Sequence, residues 1–172
     1  MTLVELEPLP DSVVAKALFN EYPSGVATIG ATVDGEDVLM LVSSFTVGVS
    51  FEPALCSVAI QRSSTTWPLL TDVPRLGVSV LSDTHSPVIR RLASRDARSR
   101  SRDVTLSHSA TGALFLDDAV AWYDCTVVRE IEVGDHMIVL LEVVAGNISP
   151  ERAPLIIHRG LTHGTVHLPA SA

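Results

Sequence analysis

The sequence predicts a mostly β protein, a small antiparallel barrel with two or three peripheral helices. Three observations lead there. From Val26 onward the chain is written in short β-branched runs punctuated by turn residues. Two of its runs, 119–133 and 136–148, are much longer than the usual strand of about 5–6 residues. Long strands joined by tight turns suit a closed or coiled sheet, because closure removes exposed edges. Finally, 47% hydrophobic against 19% charged residues is the composition of a packed core and not of a disordered chain. A length of 172 residues fits a single domain over 1–172, with its core over about 13–160 and flexible ends.

Residues 11–22, DSVVAKALFNEY, carry helical spacing: Val14, Leu18 and Tyr22 recur every four residues, Asp11 or Ser12 can cap the start, and Pro23 ends it. That spacing predicts one face packed inward. VATIGATV then reads as a strand, and Asp34-Gly35 as a hairpin turn leading into the run VLMLVSSFTVGVSF, followed by ALCSVAI and RLGVSVL. Ser86-Pro87 is expected to open a second helix through Val88, Ile89, Leu92 and Ala93, running on into an arginine-rich stretch. After a polar loop, the two long runs meet at Gly134-Asp135, and APLIIHRG follows. No internal repeat is present.

Twelve basic against twenty acidic residues give a net charge of −8 and a pI near 5.1, which opposes binding to nucleic acid or to an anionic membrane. Against that balance, Arg90, Arg91, Arg95, Arg98, Arg100 and Arg102 fall in one short stretch whose only acid is Asp96. Cys56 and Cys125 both lie inside apolar runs, where a reduced thiol behaves as a small buried hydrophobe, and two cysteines make no disulfide framework. No basic stretch followed by an apolar one opens the chain, and no apolar run approaches 18 residues, so a soluble cytoplasmic protein is expected.

Phosphate-loop, dinucleotide-fingerprint, zinc-protease, nucleophile-elbow and EF-hand motifs are all missing. His158, His163 and His167 are spaced by five and four with no accompanying cysteine or acid, and no metal is expected. Three segments carry more signal. Met40, Leu41, Val42, Ser43, Ser44 and Phe45 place two hydroxyls at the end of an apolar strand, where unpaired backbone groups can read the polar edge of a flat heterocycle. Ala59, Ile60 and Gln61 leave a strand into Arg62, Ser63, Ser64, Thr65 and Thr66, a set of hydroxyls, amides and a guanidinium suited to a phosphate, with Trp67 beside it as a candidate stacking ring. Gly134-Asp135-His136 puts an imidazole just after a tight turn, aimed across a barrel mouth.

The order of YPSGV at 22–26, MLVSSFTVGVSFEPALCSVAIQRSSTTWPLL at 40–70, AVAWYDCTVV at 119–128, GDHMIVLLEV at 134–143 and PLIIHRG at 154–160 resembles the short-chain flavin reductase family, NAD(P)H:flavin oxidoreductases that supply reduced flavin to two-component monooxygenases. The resemblance implies a homodimeric, flavin-binding split β-barrel of Greek-key order. It implies FMN or FAD lined by Met40 to Ser44 and by Ala59, Ile60, Gln61, Ser63, Ser64, Thr65 and Trp67. NADH or NADPH would be the hydride donor, with His136 contacting the nicotinamide, and Arg95 would assist the phosphate. The chain departs from the family at Arg98-Ser99-Arg100-Ser101-Arg102, where a basic–aromatic pair is usual, and at Leu161-Thr162-His163 after HRG. Two other readings compete: a split-barrel oxidase or carrier with tightly held FMN and no use of NAD(P)H, and a binding module that docks an acidic partner or nucleic acid on the arginine stretch.

Overall fold

The computed structural model describes residues 8–166; the expected flexible ends before and after these, His167 included, lie outside the described residues. The elements run α1 (Ser12–Phe19), β1 (Ser24–Gly25), β2 (Ala27–Val33), β3 (Glu36–Val42), β4 (Thr46–Phe51), β5 (Ala54–Gln61), α2 (Trp67–Leu70) and β6 (Leu76–Val80). A 3-10 turn over Asp83–Val88, α3 (Ile89–Leu92) and a second 3-10 turn over Ala97–Ser99 follow. The chain closes with β7 (Leu106–His108), β8 (Leu114–Leu116), β9 (Ala121–Val133), β10 (His136–Ile148), β11 (Ile156–His158) and β12 (Leu161–His163).

The principal sheet is antiparallel, in the order β3-β2-β6-β9-β10-β5-β4. Its two outermost strands, β3 and β4, are consecutive in the chain and separated only by Ser43–Phe45. A segment that short bridges at most about 14 Å, so opposite edges of a seven-stranded sheet can be joined by it only if the sheet curls round on itself. The result is a barrel split along one seam, between β3 and the β4–β5 pair. The crossover from β5 to β6 carries the chain from one side of the sheet to the other, the Greek-key step.

The tight turns fall where the sequence places them. Asp34 and Gly35 both have positive φ, 51° and 81°, the handedness that lets a two-residue loop match strand twist. β9 and β10 are each 13 residues long and meet at Gly134-Asp135, with register shifts at Leu140/Leu141 and Val143/Ala145 that coil the ribbon. The barrel interior is filled by Ile29, Val42, Val58, Ile60, Leu76, Val78, Val139 and Leu141, with both cysteines buried among them. The Cys56 thiol donates to the Leu141 carbonyl at 3.6 Å, and the two neighbouring thiols shift each other's pKa, lowering that of Cys56 and raising that of Cys125. A second core, including Leu39, Leu81, Leu92, Leu114 and Leu155, lies where the helical segment and β8 pack outside the barrel. Gly77 permits this layer: a Cβ there would stand 2.1 Å from the Leu114 carbonyl oxygen.

Two local expectations are corrected. The apolar face of α1 is not packed inward, since Val14, Leu18 and Tyr22 are all exposed; the helix has no buried residue and is tied at its end by Arg159, which donates from its backbone to Asn20 and from its guanidinium to Glu21. Ser82, not Ser86, caps the turn that leads to α3, and Pro87 lies inside that turn.

Candidate active site

The barrel seam is also a cleft. A cavity of about 320 Å³ lies along it, lined by Met40, Leu41, Val42, Ser43, Ser44, Ala59, Gln61, Ser64 and His136. Every one of these residues is among those the sequence singles out, and they come from three separate segments. Pairing explains the convergence. His136 opens β10 directly opposite Gln61, the last residue of β5, and two residues further Ile138 faces Ala59. The Arg62 amide donates to the Asp135 carbonyl at 3.0 Å, which locks the Ser/Thr turn to the β9–β10 turn.

Ser44 ties the link between β3 and β4 to β5. Its hydroxyl donates to the Ala59 carbonyl at 2.7 Å and accepts from the Ala59 amide at 3.1 Å. The β4–β5 register pairs Thr46 with Ser57, so Ser44 occupies the position opposite Ala59, and its side chain takes over the ladder bonds that the diverging backbone has lost. On the other lip, β3 is an edge strand whose Leu39 carbonyl faces away from β2. Strand alternation places the N–H and C=O of Leu41 on that same open edge.

The Ser/Thr turn alternates. Ser64 and Thr66 face inward, while Ser63 and Thr65 are exposed. Ser64 closes the turn on Gln61, and its hydroxyl accepts from the Trp67 amide at 3.1 Å, leaving its own proton free. Arg62 points to the surface, 3.7 Å from Glu132. Ile60 is buried in the barrel core by the same alternation that turns Ala59 and Gln61 to the cleft. Trp67 does not line the cleft either: its ring is part of the barrel core and its Nε1 donates to Glu130 at 2.8 Å, so burial, not stacking on a ligand, explains it.

A second, smaller cavity of about 200 Å³ continues from the first, sharing Met40, Leu41 and Ser64 and adding Thr66, Leu92, Ala93 and Arg100. Arg100 is the arginine of the basic stretch that enters the cleft. Its Nε donates to the Ser94 carbonyl at 2.7 Å, and its Nη1 donates to the Leu39 carbonyl and the Thr66 hydroxyl, both at 2.9 Å. Burial pulls its pKa below the ordinary value, with the Asp96 charge opposing, yet a guanidinium stays ionised at any ordinary pH. No carboxylate forms an ion pair with it among the described residues, so a partly buried cation lines the cleft with its charge uncompensated. Buried charges are normally paired, and this one fits an anionic ligand. Arg95 is exposed and lines neither cavity. Sequence reasoning could not choose Arg100, because the acceptors that select it, Leu39 and Thr66, lie 61 and 34 residues away.

At the opposite end, His136 Nδ1 is 2.7 Å from Asp135 Oδ1. A carboxylate only accepts, so Nδ1 carries the proton, and in the neutral ring Nε2 is left as an acceptor. The hydrogen bond and charge of His136 hold the Asp135 carboxyl below its usual pKa. The cleft therefore runs from an oriented imidazole, past small hydroxyl side chains and an open strand edge, to an uncompensated guanidinium. That layout suits a flat heterocycle with an anionic tail.

Comparison with known proteins agrees. Residues 19–165 match the flavin reductase like domain. The chain is 35% identical over 146 residues to a flavin reductase of Pseudomonas putida, covering 84% of this chain and 85% of that protein. The NADH:FAD oxidoreductase SgcE6 of Streptomyces globisporus C-1027, solved in complex with NAD and FAD fragments, matches with a TM-score of 0.86 at 27% identity over 98% of this chain and 100% of that one. BorF, the flavin reductase component of a bacterial two-component tryptophan halogenase, matches at 0.80 and 26% over 90% and 98%. The chain belongs to the flavin reductase like domain family. It is an NAD(P)H:flavin oxidoreductase, and these relatives favour that reading over an oxidase or FMN carrier on the same barrel.

Proposed function

We propose that this chain reduces free or loosely bound flavin at the seam cleft and releases the product to a partner monooxygenase. The observation that carries the site assignment is the meeting of Met40 to Ser44, Ala59, Gln61, Ser64 and His136 in one cavity that leads to Arg100. When bound, flavin accepts a hydride from NAD(P)H and supplies the redox chemistry, so the protein's part is to bind and orient. Ser43, Ser44 and Ala59 are small enough to let a flat ring approach. The open edge at Leu41 offers a backbone donor and acceptor to its polar rim. The Ser64 hydroxyl and the Arg100 guanidinium hold a phosphate, a role we give to Arg100 and not to Arg95. His136, fixed by Asp135, offers Nε2 to the nicotinamide carboxamide.

Release to a partner is supported by relatives that are components of two-component systems and by a cleft open to solvent, with Ser43 and Gln61 exposed. A homodimer is supported by the large apolar side chains Val14, Leu18, Tyr22, Phe51 and Ile148, which stand exposed. We read residues 1–172 as one domain. Cytoplasmic residence fits the two free, buried cysteines; among the described residues no helix is long and apolar enough to cross a membrane. The test is NADH and NADPH consumption with and without FMN or FAD. Consumption that rises with flavin supports the reading, and consumption indifferent to flavin overturns it.

A further inference from the structure

We propose that the chain takes FAD in preference to FMN, and that Arg98 sets the preference by holding the outer half of the dinucleotide. The proposal rests on the assignment of flavin to the seam cleft. It begins from the donors left on Arg100. A guanidinium has five N–H groups, and three of those on Arg100 already bond Ser94, Leu39 and Thr66, which leaves the two on Nη2. One half-used guanidinium and the Ser64 hydroxyl balance about one negative charge. A terminal phosphate monoester carries about −1.5 to −2 near neutral pH, whereas each phosphate inside a dinucleotide carries a single charge. The site is matched to the second kind.

Arg100 bridges the Leu39 carbonyl and the Thr66 hydroxyl at the end of the cleft. On the far side of Arg100 along β3 lies a separate cavity, the largest of those described, about 570 Å³, lined by Glu36, Asp37, Val38, Leu69, Arg98 and Ser101 among others. From Val42 to Asp37 the strand covers roughly 17 Å, a span suited to a ribityl–diphosphate–ribose chain laid along β3. Arg98 is exposed and has no ion pair among the described residues, and Asp96 engages only its backbone amide. Arg90, Arg95 and Arg102 line none of the cavities, so Arg98 is the arginine placed to meet a second phosphate. Val38 and the half-exposed Leu69 give an apolar wall for a purine face. Glu36, with no side-chain hydrogen bond to any described residue, can accept from an exocyclic amine.

The test measures dissociation constants for FAD, FMN and ADP by flavin fluorescence and by competition, on the wild type and on Arg98→Ala, Arg98→Lys and Arg100→Met. The expected results are FAD bound at least tenfold more tightly than FMN, ADP competing with FAD, and a ratio of FAD to FMN affinity that falls about tenfold in Arg98→Ala and is partly restored in Arg98→Lys. Equal affinities in the wild type, or an unchanged ratio in Arg98→Ala, overturn the proposal. So does a change confined to the KM for NADPH, which would assign Arg98 to the hydride donor. If Arg98→Ala fails to move the ratio while Arg100→Met weakens both flavins, only the outer subsite is wrong. If Arg100→Met weakens neither, the seam assignment fails with it.

Discussion

Ser44→Ala separates what the seam needs from what a ligand needs. The hydroxyl makes two bonds to the Ala59 backbone, at 2.7 and 3.1 Å, where the β4–β5 ladder has been interrupted. An intramolecular hydrogen bond contributes about 1 kcal/mol net, and a polar group left without a partner costs about 1–3 kcal/mol according to how well water can replace it. Ser44 is only partly buried and borders the open cleft, so water can reach Ala59 from one side. The loss should be about 2 kcal/mol, and at about 2–4 °C per kcal/mol for a chain of this size the melting point should fall by about 4–8 °C. Urea unfolding at fixed protomer concentration measures it, with a lower midpoint and an unchanged slope. Flavin affinity should fall less than stability does, because the hydroxyl faces the protein. Full stability together with lost flavin binding would refute this reasoning, and would place the Ser44 hydroxyl on the ligand.

Arg100→Met should weaken flavin binding by about tenfold or more, since it removes the cation from the inner cavity, while Arg95→Ala should change it little; fluorescence titration compares the two. Gly77→Ala should destabilise the protein by about 3 kcal/mol or more, because all three colliding atoms on Leu114 belong to the backbone and cannot rotate away; thermal or urea unfolding reads it. The Asp135 carboxyl has a folded-state pKa below its unfolded value, so its contribution is complete above that unfolded value, about 3.9, and is lost as pH falls through the folded one. Accordingly Asp135→Asn should remove this group's share of the stability lost as pH falls below about 4 and should raise the KM for NADH, as the tautomer of His136 is no longer fixed.

Much of the site is legible in the sequence because its residues stand at strand ends and turns, where local chemistry is informative. Gly134-Asp135 fixes where β10 begins and therefore where His136 points, and alternation in AIQ turns Ala59 and Gln61 one way and Ile60 the other. What was not legible depends on pairings distant in the chain. That β3 and β4, on either side of Ser43–Phe45, are opposite edges of one sheet is something no window around those residues reveals. The helical spacing of Val14, Leu18 and Tyr22 predicts a buried face, yet no described part of the chain covers it. Trp67 stands beside a phosphate-like turn but is held in the core by Glu130, sixty-three residues away. In the arginine stretch, six similar side chains differ only in what the fold brings to them: Arg91 meets Asp103, Arg100 meets three oxygen acceptors, and Arg95 meets none.

The assignment of the seam as the place where flavin and nicotinamide meet is tested most directly by anaerobic rapid mixing of the flavin-loaded protein with NADH, wild type against His136→Ala. Bleaching of the flavin should slow by about tenfold or more in the variant, with flavin affinity changed by less than about threefold, roughly 0.65 kcal/mol. Bleaching at the wild-type rate, or loss of flavin binding in place of slowed reduction, would contradict it.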